Sequence, residues 1–158
     1  MTNSYYIDTK LRRENKTNLK DLLWLYENNY IKVKSLFPEI EETKVSHFFL
    51  PEGDNNSRVD LRISKKSKFT SKLEIKQTSL SNLNLITITI EVFVYWDVKL
   101  AEVRSFNGKK LFWARNRYPN KNMFHKDEKF QWNKFLSEWL EFSKNEGLSD
   151  IYLERKLT

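Results

Sequence analysis

Two histidines and a few isolated carboxylates carry whatever acid–base chemistry this chain has. His125 stands just before Asp127 and Glu128. A histidine titrates near neutral pH, and together with carboxylates it can relay a proton or ligate a divalent cation. The spacing here matches no metal motif, and adjacent residues on a helix point apart. Asp127 and Glu128 are equally suited to the positive end of a helix, so no metal ligand set is assigned. Glu91 and Glu102 are the remaining acid–base candidates. Glu91 interrupts an otherwise apolar run, so it either faces a cleft or pairs with Arg104 or Arg62 on the wet side of a strand pair. His47, beside Phe48 and Phe49, reads as an ordinary core or edge histidine.

Other reactive constellations are missing. With no cysteine there is no disulfide, thiolate metal site or thiol nucleophile. The three glycines, at 53, 108 and 147, cannot build a loop that cradles phosphate. No Gly-x-Ser-x-Gly elbow is present, and no motif calls for a cofactor.

Charge is more informative. The 158 residues carry 28 Lys and Arg against 21 Asp and Glu, a net of +7. Residues 99–134 alone hold ten basic and three acidic side chains, again +7. Residues 1–98 contribute +2 and residues 135–158 contribute −2. A focused positive field attracts nucleic acid or an acidic protein surface, although a lysine-rich segment also serves plain solubility. Phe106, Phe112, Trp113, Tyr118, Phe124, Phe130 and Trp132 are interleaved with these cations, a mixture that base stacking beside phosphate contacts requires. The contact residues expected are Arg104, Lys109, Lys110, Arg115, Arg117, Tyr118, Lys121, Lys129, Gln131 and Asn133. The function expected is that of an intracellular binding or adaptor protein using this basic surface. The alternative is binding of RNA or single-stranded DNA through the same segment. A small hydrolase using Glu91, Glu102, His125 and Asp127 comes third.

The elements that must position these residues are legible. Asn18 and Asp21 read as a helix start, with residues 1–16 loosely held. Leu19, Leu22, Leu23, Tyr26, Tyr30, Val33 and Phe37 recur at helical spacing, Trp24 and Leu25 widen the stripe, and Pro38 ends it. Residues 45–50 form a strand and residues 51–56 a loop. Val59, Leu61 and Ile63 alternate with charged neighbours, as do Leu73 and Ile75, so each strand has one dry and one wet face. Residues 85–96 carry the strongest strand pattern and suit a central position, with Ile86, Ile88, Ile90, Val92, Val94 and Trp96 on one face. Residues 101–106 and 111–114 flank Asn107-Gly108, a two-residue hairpin turn. A second helix begins near Lys126 or Asp127, carries Phe130, Trp132, Phe135, Leu136, Trp139, Leu140 and Ser143 at helical spacing, with Trp132 and Phe135 suited to its core, and stops at Gly147. Residues 148–158 either pack or fray. The result is one α+β domain: an antiparallel meander of about five strands packed against two long helices. No run is apolar and long enough to span a membrane. The N-terminus lacks a secretory pattern, and the cytoplasm is the expected compartment.

Residues 114–140 contain Ala114-Arg115, Tyr118-Pro119-Asn120, Asp127-Glu128-Lys129, Gln131, Asn133, Phe135-Leu136 and Trp139-Leu140. In these positions the chain resembles a family of small gammaproteobacterial proteins known as domain of unknown function 1249. Asn29-Tyr30, Leu36-Phe37-Pro38, Ile75, Gln77, Asp97 and Ala101-Glu102-Val103 extend the resemblance over most of residues 20–147. The family commonly has histidine where this chain has Phe124 and Phe130, and aspartate in place of Arg117. The resemblance implies a shared fold and brings no substrate, cofactor or partner. Arg115, Lys129, Gln131 and Asn133 are its remaining polar positions, expected either to form a buried hydrogen-bond network or to rim a ligand.

Overall fold

The computed structural model describes residues 4–38, 40, 45–53, 55–79, 87–110 and 128–148, with side chains described from Leu19 onward except at Lys109 and Lys110. The order is α1 (Ser4–Leu36), β1 (Val45–Glu52), β2 (Asn55–Ser67), β3 (Thr70–Ser79), β4 (Thr87–Tyr95), β5 (Leu100–Phe106), β6 (Lys109–Lys110) and α2 (Glu128–Glu146). Each strand pairs antiparallel with the next, in the order β1-β2-β3-β4-β5-β6. Five strands are substantial, and the sixth is a two-residue arm.

Helix α1 corrects the expected boundary, beginning at Ser4 rather than Asn18. No proline or glycine interrupts residues 4–36, so nothing local stops the helix. It ends where expected, with Phe37 N–H bonded to Val33 O at 2.9 Å just before Pro38. Leu22, Leu25, Tyr26, Asn29 and Val33 form its buried face. Trp24 does not widen that face. It lies two residues past Leu22, roughly 200° around the helix, and is 65 % exposed.

The alternation in the strands sets one dry face. Leu50, Val59, Leu61, Leu73, Ile75, Ile90, Val92, Val94, Ala101 and Val103 are all buried there. Each fully buried Leu or Val contributes about 2 kcal/mol. The expected loop at 51–56 is a tight turn instead. Strand pairing continues through Pro51 and Asn56, and the chain reverses at Gly53 with φ of 56°. Pro51 is tolerated because β1 lies at the sheet edge, where a missing N–H breaks no ladder. The Asn107-Gly108 turn forms as expected, with φ of 48° and 81°. Asn107 also clamps β4, accepting from Thr89 N through its side chain at 2.8 Å and donating to Thr89 O at 2.7 Å. Residues 111–114, the rest of the expected second arm, lie outside the described residues.

Both helices cover the dry face. Tyr30 meets Trp96, Phe37 meets Phe48, and Trp139 meets Phe48 while donating its indole N–H to Gln77 at 2.9 Å. The helices run parallel, since Asn29, Lys32 and Ser35 of α1 bond in turn to Asn133, Ser137 and Lys144 of α2. Phe135 was expected in this core but is 38 % exposed, one helical face away from Leu136. Beyond α2, Leu148 pairs with Phe49 through two reciprocal backbone bonds on the outer edge of β1. Among the described residues no helix is long and apolar enough to cross a membrane.

Candidate functional site

Glu91, Glu102, Arg104, Lys129 and Asn133, all singled out from sequence, meet at strand β5. Its register against β4 slips once. Glu91 faces Ser105 and the next residue, Val92, faces Val103, so Arg104 is an extra residue in a β-bulge. A bulge re-aims the side chains around it. Ser105 turns its hydroxyl to Glu91, at 2.9 Å. Glu91 also meets Lys72 at 3.6 Å, in place of the expected Arg104 or Arg62. Arg104 swings outward, its guanidinium 5.0 Å from the Phe93 ring and its side chain 45 % exposed.

Glu102 is the centre of the cluster. Its side chain is only 9 % exposed, and three donors reach its carboxylate. The Tyr95 hydroxyl donates at 2.6 Å, Lys129 Nζ lies at 3.1 Å, and Arg104 Nη1 lies at 3.3 Å. Burial pushes the carboxyl pKa up, but the Tyr95 bond, Lys129 and Arg104 outweigh it and hold it below the usual range. Burial also raises the pKa of Tyr95, and the bond to Glu102 and its charge add to the shift. Tyr26 on α1 is raised in the same way, by burial first and then by the Glu102 charge. Lys129 Nζ sits 5.9 Å from the Tyr26 ring, so one ammonium group links both helices to the sheet.

One turn further along α2, Asn133 is fully buried. Its Oδ1 accepts from Val103 N at 2.9 Å and its Nδ2 donates to Lys129 O at 2.7 Å. Asn29 of α1 donates to Asn133 O at 3.3 Å and to its Oδ1 at 3.4 Å. The family-like positions Asn29, Glu102, Val103, Lys129 and Asn133 thus meet along β5, beyond its described pairing with β6. Of the two roles open to Lys129, Gln131 and Asn133, a buried network holds for Lys129 and Asn133, whereas Gln131 is exposed. Tyr26, Asn29 and Tyr95 were not among the expected site residues, although Asn29 carries part of the family resemblance and Tyr26 part of the helical stripe. The available signal was a polar Asn29 spaced with Leu22, Tyr26 and Val33 on a buried helical stripe.

Chemically, the cluster stores a satisfied carboxylate. A carboxylate with a lowered pKa and occupied lone pairs is a weak base, and it holds no proton to give at neutral pH. His125 and Asp127 lie outside the described residues. Among the described residues no three His, Asp or Glu side chains gather to hold a metal ion.

The basic segment divides in two. Lys129 turns inward to Glu102, while Arg104, Lys99 in the β4–β5 turn and Lys134 on α2 are exposed. Lys109 and Lys110 form β6. Arg115, Arg117, Tyr118 and Lys121 lie outside the described residues. Phe106 and Trp132 stack on one another with centroids 3.7 Å apart, and Phe135 meets the Trp132 edge at 5.7 Å.

Comparison with known proteins bears on the same residues. A family model described as "Protein of unknown function (DUF1249)" matches residues 32–149. The chain is 30 % identical over 133 residues to "Uncharacterized protein YqiB" from Escherichia coli strain K12, covering 83 % of this chain and 91 % of the relative. The same identity and coverage hold for the proteins of that name from Escherichia coli O6:H1 and O157:H7. No solved structure matches.

Proposed function

Because the chain belongs to the DUF1249 family of proteins of unknown function, we propose a function for it from its own chemistry: a cytoplasmic binding or adaptor protein that holds an acidic protein partner through the cations of residues 99–134. One observation carries this choice. In the described part of the segment, Lys99, Arg104 and Lys134 are exposed, while the aromatic pair Phe106 and Trp132 is engaged in its own 3.7 Å stack. Base stacking needs a free ring face, whereas carboxylate recognition needs exposed cations and no stacking platform. Arg104 suits that task. Its planar fork rests on Phe93, spends one nitrogen on Glu102 and leaves other donors turned to solvent. The buried Glu102–Lys129 pair supports the surface from below by fixing the start of α2 against β5.

The test is affinity capture from native lysate, with and without nuclease. The wild-type chain is compared with a variant carrying Arg104→Ala and Lys134→Glu. A partner with an acidic surface, recovered despite nuclease and lost with the variant, supports the proposal. Recovery abolished by nuclease replaces it with nucleic-acid binding. Equal recovery by both chains removes this surface from the contact.

A further inference from the structure

Away from β5, the described residues leave part of the dry face of the sheet uncovered. Helix α1 ends at Leu36, and the chain turns back through Pro38, with Ile40 N–H bonded to Phe37 O at 3.1 Å. This corner lays Phe37 and Ile40 against the sheet where another helical turn would have covered more of it. Helix α2 adds no residue to the described lining, its Trp139 resting against Phe48 and bonded to Gln77. A cavity of about 290 Å³ remains, lined by Phe37, Pro38, Ile40, Ser46, Leu61, Ile63 and Leu73.

We propose that this cavity is a binding site for a neutral, short-chain aliphatic molecule carrying one hydrogen-bonding head group. The volume stands at the lower end of small-molecule pockets, roughly 300–1,000 Å³. It has room for one short chain and none for a two-tailed lipid. Among the described residues the lining holds a single side-chain hydroxyl, Ser46, and no charged group. A buried water needs two to four polar partners, so water fills this space poorly and an apolar occupant fills it well. The described lining residues offer no counter-charge to a phosphate or carboxylate head, so they favour a neutral one. Ser46 stands at the rim on exposed edge strand β1, opposite Leu61, where it can bond a hydroxyl or carbonyl head while the tail lies on Leu61 and Leu73. Those two leucines are 5 % and 1 % exposed and form a rigid floor.

The test titrates the full chain with straight-chain alcohols from 1-hexanol to 1-dodecanol. Methyl NMR spectra report on Leu61, Ile63 and Leu73, with Ile31 and Val98 as exposed controls. Saturable shifts confined to the three cavity residues, with an optimum chain length, are expected. Ser46→Phe, which projects a ring into the mouth, is expected to weaken binding at least tenfold. Shifts that grow linearly, or that appear equally at Ile31 and Val98, overturn the site. So does unchanged affinity in a folded Ser46→Phe chain. If that variant does not fold, the wild-type titration alone decides.

Discussion

Glu102 on β5 and Lys129 on α2 are 3.1 Å apart, with side chains 9 % and 11 % exposed. An ion pair this dry differs from the surface pairs Lys32–Glu141 and Arg58–Asp60. Exposed pairs contribute about 0–1 kcal/mol. Removing one partner of a buried pair strands the other charge and costs about 3–5 kcal/mol. Lys129→Met is therefore expected to cost about 3 kcal/mol, at the low end because Tyr95 and Arg104 still serve Glu102. The double variant Glu102→Gln with Lys129→Met is expected to lose less than the two single variants added together. Urea unfolding of all four proteins measures the coupling, and strict additivity would contradict the pair.

The same cluster predicts two pH limbs. The Glu102 pKa is lowered in the folded chain, so its contribution is complete above the unfolded carboxyl value of about 4.3. It is lost as pH falls through the folded value. For Tyr95 the folded pKa is raised. The stability it confers is complete below about pH 10 and lost as pH rises beyond. Glu102→Gln is expected to flatten the acid limb, and Tyr95→Phe the alkaline one. Thermal unfolding followed across pH 3–11 in the three proteins separates the contributions.

The alternating strands, the Asn107-Gly108 turn and the stop at Pro38 could be read directly, because each depends on local side-chain period or backbone restriction. The cluster around Glu102 could not be assembled that way. Its members come from positions 26, 29, 95, 102, 104, 129 and 133, and a bulge at Arg104 decides which face Ser105 and Arg104 take. A one-residue slip in pairing leaves no local trace in composition. The family-like motif did single out Lys129 and Asn133 as polar residues on an otherwise packing helix. Only the fold shows that Lys129 pairs with Glu102 and that Asn133 binds Val103 and Asn29. Trp24 and Phe135 failed for the opposite reason. Apolar type places a residue on a stripe only when its angle agrees, and both point away from the buried face.

Asn133 caps the edge of β5 at Val103. Its Oδ1 accepts the Val103 amide, which has no strand partner on that side among the described residues. An exposed strand edge invites pairing with other chains, and a buried N–H without an acceptor costs about 1–3 kcal/mol. Asn133→Ala is expected to destabilise the chain by about 2 kcal/mol. Among β5 amides, Val103 is expected to lose the most hydrogen-exchange protection. Unchanged protection at Val103 would show that another group caps the edge.

Gly147 ends α2 for a steric reason. A Cβ built there runs into the backbone carbonyl of Ser143, the same oxygen that accepts the Gly147 N–H at 2.9 Å, and comes within 3.5 Å of the Phe48 ring. The carbonyl cannot retreat without breaking the last helical bond. The next residue, Leu148, is already fixed to Phe49 by bonds of 2.8 and 2.9 Å. Gly147→Ala therefore forces either the helix end or the β1 edge to move, at a cost typical of overpacking, about 1–3 kcal/mol. The loss is expected to appear locally, as faster amide exchange at Leu148 and Phe49 while the Leu136 and Leu140 amides within α2 keep their protection. Uniformly faster exchange would mean that Gly147 supports the whole domain, and no change would mean that the Ser143 carbonyl yields freely.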